Sequence, residues 1–246
     1  MSKIKVLVLG SSSPVGSRFV ELSRNYLFPE IDSDVNLKKM DVLNKLIESF
    51  KPEWVINFNE IQSEREINSL VSAFPSNKII QLSSDKVFPA TLDNPGPYSE
   101  NDKTTDVDKN PEKIILNHGG SVLRITNENY INEELKKFSD GTLEPLSIDR
   151  QICVSNIDEV VATLQKIIDT DSSGIFHCSS DTTTPYELIT FVVDQLGGDS
   201  SAIKPVSTEA YYGGLKSLKT ENKLDLHFST WQTAVEKLIG HGLSLR

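Results

Sequence analysis

The chain has 246 residues, of which 37% are apolar and 24% charged, so it can bury one large core and does not have the composition of a disordered polypeptide. Its formal net charge of −10 argues against a nucleic-acid backbone or an anionic membrane as its main partner. It has no apolar run long enough to span a membrane, and it begins with a strand pattern rather than a signal peptide, so we expect a cytoplasmic protein. Its two cysteines show neither a disulfide framework nor the spacing of a metal site, so we expect no structural metal.

The first element is a short run of apolar, β-forming residues, 4–9, that ends at Gly10 and is followed by three serines, Pro14 and a helical pattern. A strand that turns sharply into a helix directs backbone N–H groups and the positive end of the helix dipole to one point. Rossmann-type sheets bind the pyrophosphate of a dinucleotide at such a turn, whereas the alternative is a strand–turn–helix with nothing bound. A serine stands where the Gly-x-x-Gly-x-x-Gly pattern has its middle glycine, so the motif is incomplete. The predicted cofactor contacts of this turn are Gly10, Ser12, Ser13, Val15 and Gly16.

Segment 26–39, after the first helix, should hold a second strand, but a proline and several polar residues interrupt its apolar run. If Asp32 or Asp34 ends that strand, its carboxylate could bind a ribose hydroxyl, whereas Lys38 and Lys39 could instead bind a 2′-phosphate. The alternative for all four residues is a solvent-exposed charged loop.

Strands and helices alternate through the next hundred residues. We predict helices at 41–50 and 63–74, and strands at 54–57, 78–82 and 122–126. This alternation indicates a parallel sheet covered by helices on both faces, with its ligand beyond the carboxyl ends of the strands. Because Asn57 and Ser83 fall at that edge, we take them as further cofactor contacts.

Two motifs point to a known family. Residues 83–88 read SSDKVF, and residues 94–100 read NPGPYSE. They resemble the STDYVFDG and GPYxE segments of the dTDP-4-dehydrorhamnose reductase family, which belongs to the extended short-chain dehydrogenases. Other segments that resemble the family occur in its order along nearly the whole chain, at 10–16, 40–42, 51–57, 122–126, 149–151, 173–177 and 185–188.

The resemblance implies a Rossmann-like, doubly wound parallel sheet with a small C-terminal substrate lobe, and NADP or NAD as the cofactor. Residues 1–246 would form a single unit, with the dinucleotide-binding core at about 1–130. Residues 131–246 would combine substrate-lobe segments with returning core elements, including helices at 133–138, 156–169 and 230–238, a strand at 174–178 and a helix that starts at Thr184. Three cations are candidates for contacts with substrate phosphate, namely Arg124, Arg150 and Lys216. The alternative for each is an ordinary ion-pair partner.

The family reduces a keto sugar with a Tyr-x-x-x-Lys pair, whose tyrosine supplies the proton, and a Ser or Thr that polarises the carbonyl. Ser84 matches the Ser/Thr position. The tyrosine and lysine should lie within 102–116, but this interval reads DKTTDVDKNPEKIIL and contains no tyrosine. Asp108 stands at the tyrosine position, and Glu112 or Lys113 at the lysine position. The resemblance therefore extends to the motifs along the chain and to Ser84, but not to the tyrosine and lysine of the catalytic pair.

Two further departures affect the same site. Pro111 falls inside the helix that should present the catalytic pair, so this helix should start late or break. Phe58, Asn59 and Glu60 replace the small residues that let the family's cofactor lie close to the backbone, and Glu60 would repel a pyrophosphate unless it points away. Together with Ser13, this loop predicts a weakened cofactor site.

We therefore predict a non-catalytic or regulatory protein that binds a nucleotide, a sugar nucleotide, a protein partner or a second copy of itself. The alternative is an active NAD(P)H-dependent reductase of a 4-keto sugar nucleotide, in which another residue supplies the proton. The residues considered for this role are Tyr98, Tyr130, His118 and Asp108. Tyr130 and His118 should lie near the ligand edge of the sheet, and the alternative for each of the four is a surface or packing residue. A third alternative is a structural module with an empty cofactor site.

Overall fold

The structure is a computed structural model that describes residues 3–30, 40–59, 63–91, 93–105, 111–126, 129–208 and 213–245. The described residues form seven strands: β1 (Val6–Leu9), β2 (Trp54–Asn57), β3 (Ile79–Ser84), β4 (Ser121–Ile125), β5 (Leu146–Ser147), β6 (Gly174–Cys178) and β7 (Pro205–Val206). They also form nine α-helices: α1 (Pro14–Leu22), α2 (Met40–Phe50), α3 (Glu64–Ala73), α4 (Pro111–Asn117), α5 (Asn129–Ser139), α6 (Ile157–Asp169), α7 (Pro185–Gln195), α8 (Leu218–Leu224) and α9 (Trp231–Gly240).

The chain divides into two compact units. The first unit comprises Met1–Ser83, Lys103–Arg124 and Ile157–Phe176. The second unit comprises Ser84–Asp102, Ile125–Asn156 and His177–Arg246. Segment 157–176 thus returns to the first unit from the second half of the chain.

The first unit is built on a five-stranded sheet with the order β1-β2-β3-β4-β6. β1 pairs in parallel with β2, and β2 pairs in parallel with β3. On the outer side of β1, Leu27 forms a parallel bridge with Lys5. Of the strand predicted within 26–39, the described residues show this single bridge. Asp32, Asp34, Lys38 and Lys39 lie outside the described residues.

Helices cover both faces of this sheet. α2, α3 and α4 pack on one face, where they meet strand residues such as Leu7 and Val55. The alternate strand residues Val8 and Ile56 are buried as well, which requires cover on the other face. α1 and α6 provide this cover. They contact each other, and an ion pair between Arg18 and Asp158 links them. The predicted Rossmann-like, doubly wound α/β sheet is confirmed.

The second unit has its own core and a small parallel sheet of β5 and β7, in which Leu146 pairs with Pro205. α5, α7 and α9 bury a common apolar cluster that includes Leu135, Ile189 and Val235. α7 begins as the sequence predicted, because the side chains of Thr184 and Glu187 exchange hydrogen bonds with each other's backbone N–H. No helix within the described ranges is both long and apolar enough to cross a membrane.

Candidate functional site

The turn between β1 and α1 has the geometry that its two glycines predict. Gly10 has a φ of +76°, which favours glycine. A Cβ on Gly16 would lie 2.5 Å from the carbonyl oxygen of Gly10, so glycine at this position permits close packing of helix and strand. Ser13 caps α1, because its Oγ accepts from the backbone N of Gly16 at 3.1 Å and donates to the oxygen of Gly10 at 2.9 Å. The serine in place of the middle glycine is therefore part of the turn's own hydrogen bonding.

The other residues predicted to contact the cofactor differ in the atoms that they can present to a ligand. Ser12 is exposed, and the side chain of Val15 is buried in the core, so Val15 has only its backbone to present to a ligand. Ser83 is half-buried at the carboxyl end of β3, the edge at which a ligand of such a sheet binds. Their contact with a cofactor stays a prediction.

Asn57 does not face a ligand. It is completely buried, its Nδ2 donates to Oε1 of Gln81 at 2.7 Å, and its Oδ1 accepts from the backbone N of Asn59 at 3.2 Å. Gln81 in turn donates to the carbonyl oxygens of Asn59 and Leu82. The prediction that Asn57 contacts the cofactor is therefore corrected: Asn57 holds the loop that follows β2 by hydrogen bonds, and Asn59 is the residue that approaches the Gly10 turn.

Asn59 occupies space beside the turn. A Cβ on Gly10 would lie only 2.8 Å from Oδ1 of Asn59, so the amide of Asn59 lies against the turn. The backbone of 10–16 fits a pyrophosphate at the start of α1, and Asn59 lies beside this turn. Glu60 lies outside the described residues. The residues present thus fit the pyrophosphate of a dinucleotide at the turn itself, and a weakening of the site by the loop after β2 stays a prediction.

The segment that should carry the catalytic tyrosine and lysine leads into α4, which begins at Pro111. Glu112 points into the protein interior, where its carboxylate oxygens accept from Nε and Nη2 of Arg124 at 3.1 and 2.7 Å. Lys113 is exposed, and Asp108 lies outside the described residues. Because the side chain of Arg124 is only 2% exposed, the prediction that Arg124 contacts substrate phosphate is corrected: it is a structural partner of Glu112.

The second unit contains a cavity of about 180 Å³. Asp85 and Lys86, which follow Ser84 in the sequence, are among the residues that line it. Ser84 is half-buried, and its Oγ accepts from the backbone N of Lys86 at 3.4 Å, which caps a short 3-10 turn. The polar residues that line the cavity are Asp85, Lys86, Thr126, Tyr130, Arg150 and Ser155. Arg150 is the one predicted substrate cation that this cavity contains. Asp85 and Lys86 were missed by the sequence analysis, although both belong to the SSDKVF motif.

The charges around this cavity influence one another. Burial raises the pKa of Tyr130 to about 12, the charge of Glu134 adds to this rise, and Arg150 opposes it. Burial also raises the pKa of Asp85, which Lys86 and Arg150 oppose. Arg150 therefore lies within electrostatic reach of both the phenol and the carboxyl group. At neutral pH the phenol of Tyr130 remains protonated and can donate a hydrogen bond.

Hydrogen bonds fix the chain on both sides of the cavity. Oγ of Ser147 accepts from the backbone N of Arg150 at 3.0 Å, and a carboxylate oxygen of Asp149 accepts from the backbone N of Thr208 at 2.8 Å. On the other side, Oγ of Ser155 accepts from Oγ1 of Thr126 at 3.0 Å. The backbone that carries Arg150 is thus fixed by hydrogen bonds.

Two of the considered replacement acids are in positions that do not suit the role. Tyr98 is 2% exposed and stacks on Phe88 with ring centroids 4.2 Å apart, so it is a packing residue. His118 follows α4, and its Nε2 lies 3.0 Å from the carbonyl oxygen of Ser76, which precedes β3. The expectation that His118 lies at the ligand edge was wrong, because it lies at the amino ends of the strands.

Lys216 does not join Arg150. It is exposed and lines a separate surface groove with Lys219 and Lys223. Its backbone N donates to the oxygen of Tyr98 at 2.7 Å. Of the three predicted substrate cations, the second unit holds two, and these line different depressions.

Comparisons with known proteins support the fold. No protein-family model matches the chain, and no curated protein matches it. The crystal structure of dTDP-4-dehydrorhamnose reductase from Bacillus anthracis in complex with NADP is similar with a TM-score of 0.76 and 15% identity, covering 98% of this chain and 99% of that chain. The dTDP-4-dehydrorhamnose reductase from Yersinia enterocolitica is similar with a TM-score of 0.73 and 17% identity, covering 98% and 100%. The enzyme WbmG from Bordetella bronchiseptica, in complex with NAD and UDP, is similar with a TM-score of 0.73 and 14% identity, covering 97% and 94%.

These likenesses cover nearly the full length of each chain at low identity. They agree with the order of motifs along the sequence and with the five-stranded sheet of the first unit. The chain therefore has the Rossmann-like fold of the dTDP-4-dehydrorhamnose reductases, as its sequence resemblance implied.

Proposed function

We propose that this chain is a dTDP-4-dehydrorhamnose-reductase-like protein that binds a nicotinamide nucleotide or a sugar nucleotide without reducing it, and serves a regulatory role. The observation that carries this proposal is the interval 102–116, which contains no tyrosine. Where the reductases have an ammonium group, the sequence offers Glu112, whose carboxylate is buried against Arg124, or Lys113, which is exposed.

The chemistry of the reaction explains why this interval matters. Hydride addition to a ketone produces an alkoxide that must be protonated, and a phenol near pKa 10 delivers a proton at neutral pH only when a neighbouring cation lowers its pKa. Ser84 could still polarise a carbonyl, because serine hydroxyls suit that role. Without the phenol and its cation, such a contact binds a carbonyl oxygen but does not complete the reduction.

Nucleotide binding needs less of the site than catalysis does. Residues of the Gly10 turn would hold the pyrophosphate of a bound dinucleotide through backbone N–H groups. The turn retains Gly10, Gly16 and the serine-capped start of α1. In the second unit, Arg150 and Lys86 line a cavity that suits the oxygen atoms of a small polar group.

A second candidate function is an active reductase with a relocated proton donor. The observation that favours it is the position of Tyr130, which lines the same cavity as Lys86. Lys86 in turn stands two residues after Ser84 in the sequence. A pKa raised to about 12 makes Tyr130 a weak acid, so this reading requires that a bound cofactor or substrate lower the pKa.

The test is a titration of the purified chain with NADPH, NADH and dTDP- or UDP-sugars, followed by protein and nicotinamide fluorescence. The same samples are then assayed for NADPH oxidation with a 4-keto sugar nucleotide. We expect binding without turnover. Absence of any nucleotide binding would overturn the proposal.

A pair of variants separates the two candidate functions. Turnover that is lost in Tyr130→Phe but kept in Tyr186→Phe would establish the relocated acid and overturn a non-catalytic role. Tyr186 is a suitable control because it is also half-buried in the second unit, on α7. Equal behaviour of both variants, with no turnover in either, agrees with the proposal.

A further inference from the structure

A surface groove of about 610 Å³ in the second unit carries an unusual charge for this protein. One wall is the turn at 99–101, and the other is the outer face of α8 with the residue before its cap. The described residues that line it include three lysines, after which we name it the lysine groove: Lys216, Lys219 and Lys223. The chain as a whole has a formal net charge of −10, so the groove is a local concentration of positive charge on an acidic protein.

Among the described residues that line this groove, the one carboxylate, that of Glu100, is turned inward. Glu100 is 3% exposed, and its Oε1 accepts from the backbone N of Thr220 at 3.0 Å and from its Oγ1 at 2.8 Å. All three lysines are exposed. Nζ of Lys219 donates to Oδ1 of Asn101 at 3.2 Å, which holds this ammonium group across the groove. Among the described residues that line the groove, the ammonium groups therefore lie at the surface and the carboxylate of Glu100 is buried, while the exposed Asp102 next to the groove accepts from the backbone N of Ser99.

The groove also presents an apolar side chain. Leu218, the first residue of α8, is 66% exposed and lies among the lysines. An exposed leucine surrounded by cations suits a ligand that has both carboxylates and an apolar group. A nucleic acid does not suit the groove, because the net charge of the whole chain repels a long polyanion.

We propose that the lysine groove docks an acidic peptide segment of a partner protein, with its carboxylates on the three lysines and one apolar side chain on Leu218. The argument is charge complementarity, since an extended segment with spaced carboxylates matches ammonium groups spaced three and four residues apart along the chain. The proposal goes beyond the proposed function and does not depend on it, because no residue of the groove belongs to the Gly10 turn or to the cavity beside Arg150.

The test uses a short fluorescein-labelled peptide of glutamates around one leucine, with binding to the full chain followed by fluorescence anisotropy. We expect binding that weakens as salt is added, because exposed charges are screened. The double variant K219E/K223E should bind about tenfold more weakly, because it reverses two contacting charges. Leu218→Ser should weaken binding of this peptide but not of an all-glutamate peptide.

The control variant is K136E/K204E, which changes the net charge equally at two exposed lysines of the second unit outside the groove. An equal loss in both double variants would overturn the proposal, since it would show an effect of net charge alone. Displacement of the peptide by inorganic phosphate would overturn it in favour of a small-anion site. Self-association that is lost only in K219E/K223E would instead assign the groove to a second copy of the chain. Nucleotide titration of the same variants should be unchanged, which keeps this result separate from the proposed function.

Discussion

Glu112 of α4 and Arg124 of β4 form a two-point ion pair inside the first unit, with their side chains 5% and 2% exposed. Nε and Nη2 of the guanidinium donate to the two oxygens of the carboxylate at 3.1 and 2.7 Å. The pair links α4 to β4 of the sheet. Because both charges are buried, the pair has a measurable consequence for stability.

Replacing Glu112 by glutamine should strongly destabilise the protein. The change removes the charge of Glu112 beside the buried guanidinium of Arg124, and loss of one partner of a buried ion pair typically costs about 3–5 kcal/mol. The free energy of unfolding can be measured by urea titration at neutral pH. The double variant Glu112→Leu with Arg124→Leu should recover most of the loss, because it removes both charges together. Equal instability of the single and double variants would contradict this account.

Gly16→Ala should destabilise the protein, because its Cβ would lie 2.5 Å from the carbonyl oxygen of Gly10 and 2.8 Å from Oγ of Ser13. We expect a loss of about 1–3 kcal/mol, since α1 must move away from β1 to relieve the overlap. Gly240→Ala is the matched control, because no atom lies within 4 Å of its Cβ position at the end of α9. Thermal unfolding should show a lower midpoint for the first variant and an unchanged or higher midpoint for the second.

The fold could be predicted because its determinants are local. β2 and β6 have the predicted bounds, 54–57 and 174–178, since each is a short run of mostly strand-forming residues between clear breaks. The start of α7 could be predicted from Thr184 and Glu187, whose capping interaction needs only a spacing of three residues. α5 was predicted too short, at 133–138, because the residues of its first turn are largely polar.

The site could be predicted only in part, because its residues depend on partners that are distant in sequence. The burial of Asn57 follows from Gln81, 24 residues away, and the local strand pattern contains no sign of this hydrogen bond. The pairing of Arg124 with Glu112 likewise requires that α4 lie over β4. Arg150, by contrast, follows a recognisable motif and lies in a cavity, so its candidacy stands.

The stability contributed by Cys153 should decrease at alkaline pH. Burial raises the pKa of this thiol from 9.0 to about 12, so the folded protein keeps the thiol form where the unfolded chain has already ionised. The contribution is complete below about pH 8.5 and is lost as pH rises from there towards about 12. Cys153→Ala should therefore be less stable than the wild type at pH 8, and the difference should narrow by about 1.4 kcal/mol per pH unit above the ordinary pKa.

Urea unfolding of both proteins at a series of pH values measures this narrowing. Cys178 and the tyrosines are present in both proteins, so their titration cancels in the comparison. A stability difference that stays constant across the alkaline range would show that the thiol of Cys153 ionises at its ordinary pKa in the folded protein.

Asn59→Ala should strengthen nucleotide binding if the side chain of Asn59 obstructs the Gly10 turn. Its Oδ1 lies 2.8 Å from where a Cβ of Gly10 would be, and alanine would open this space while the backbone N of residue 59 can still donate to Asn57. We expect NADPH or NADH to bind about fivefold more tightly, which corresponds to about 1 kcal/mol. Asn68→Ala, at an exposed position of α3, makes the same chemical change away from the turn and should leave affinity unaltered. Nicotinamide fluorescence titrations of the three proteins provide the comparison, and an Asn59→Ala variant with unchanged or weaker affinity would show that Asn59 is compatible with, or part of, the nucleotide site.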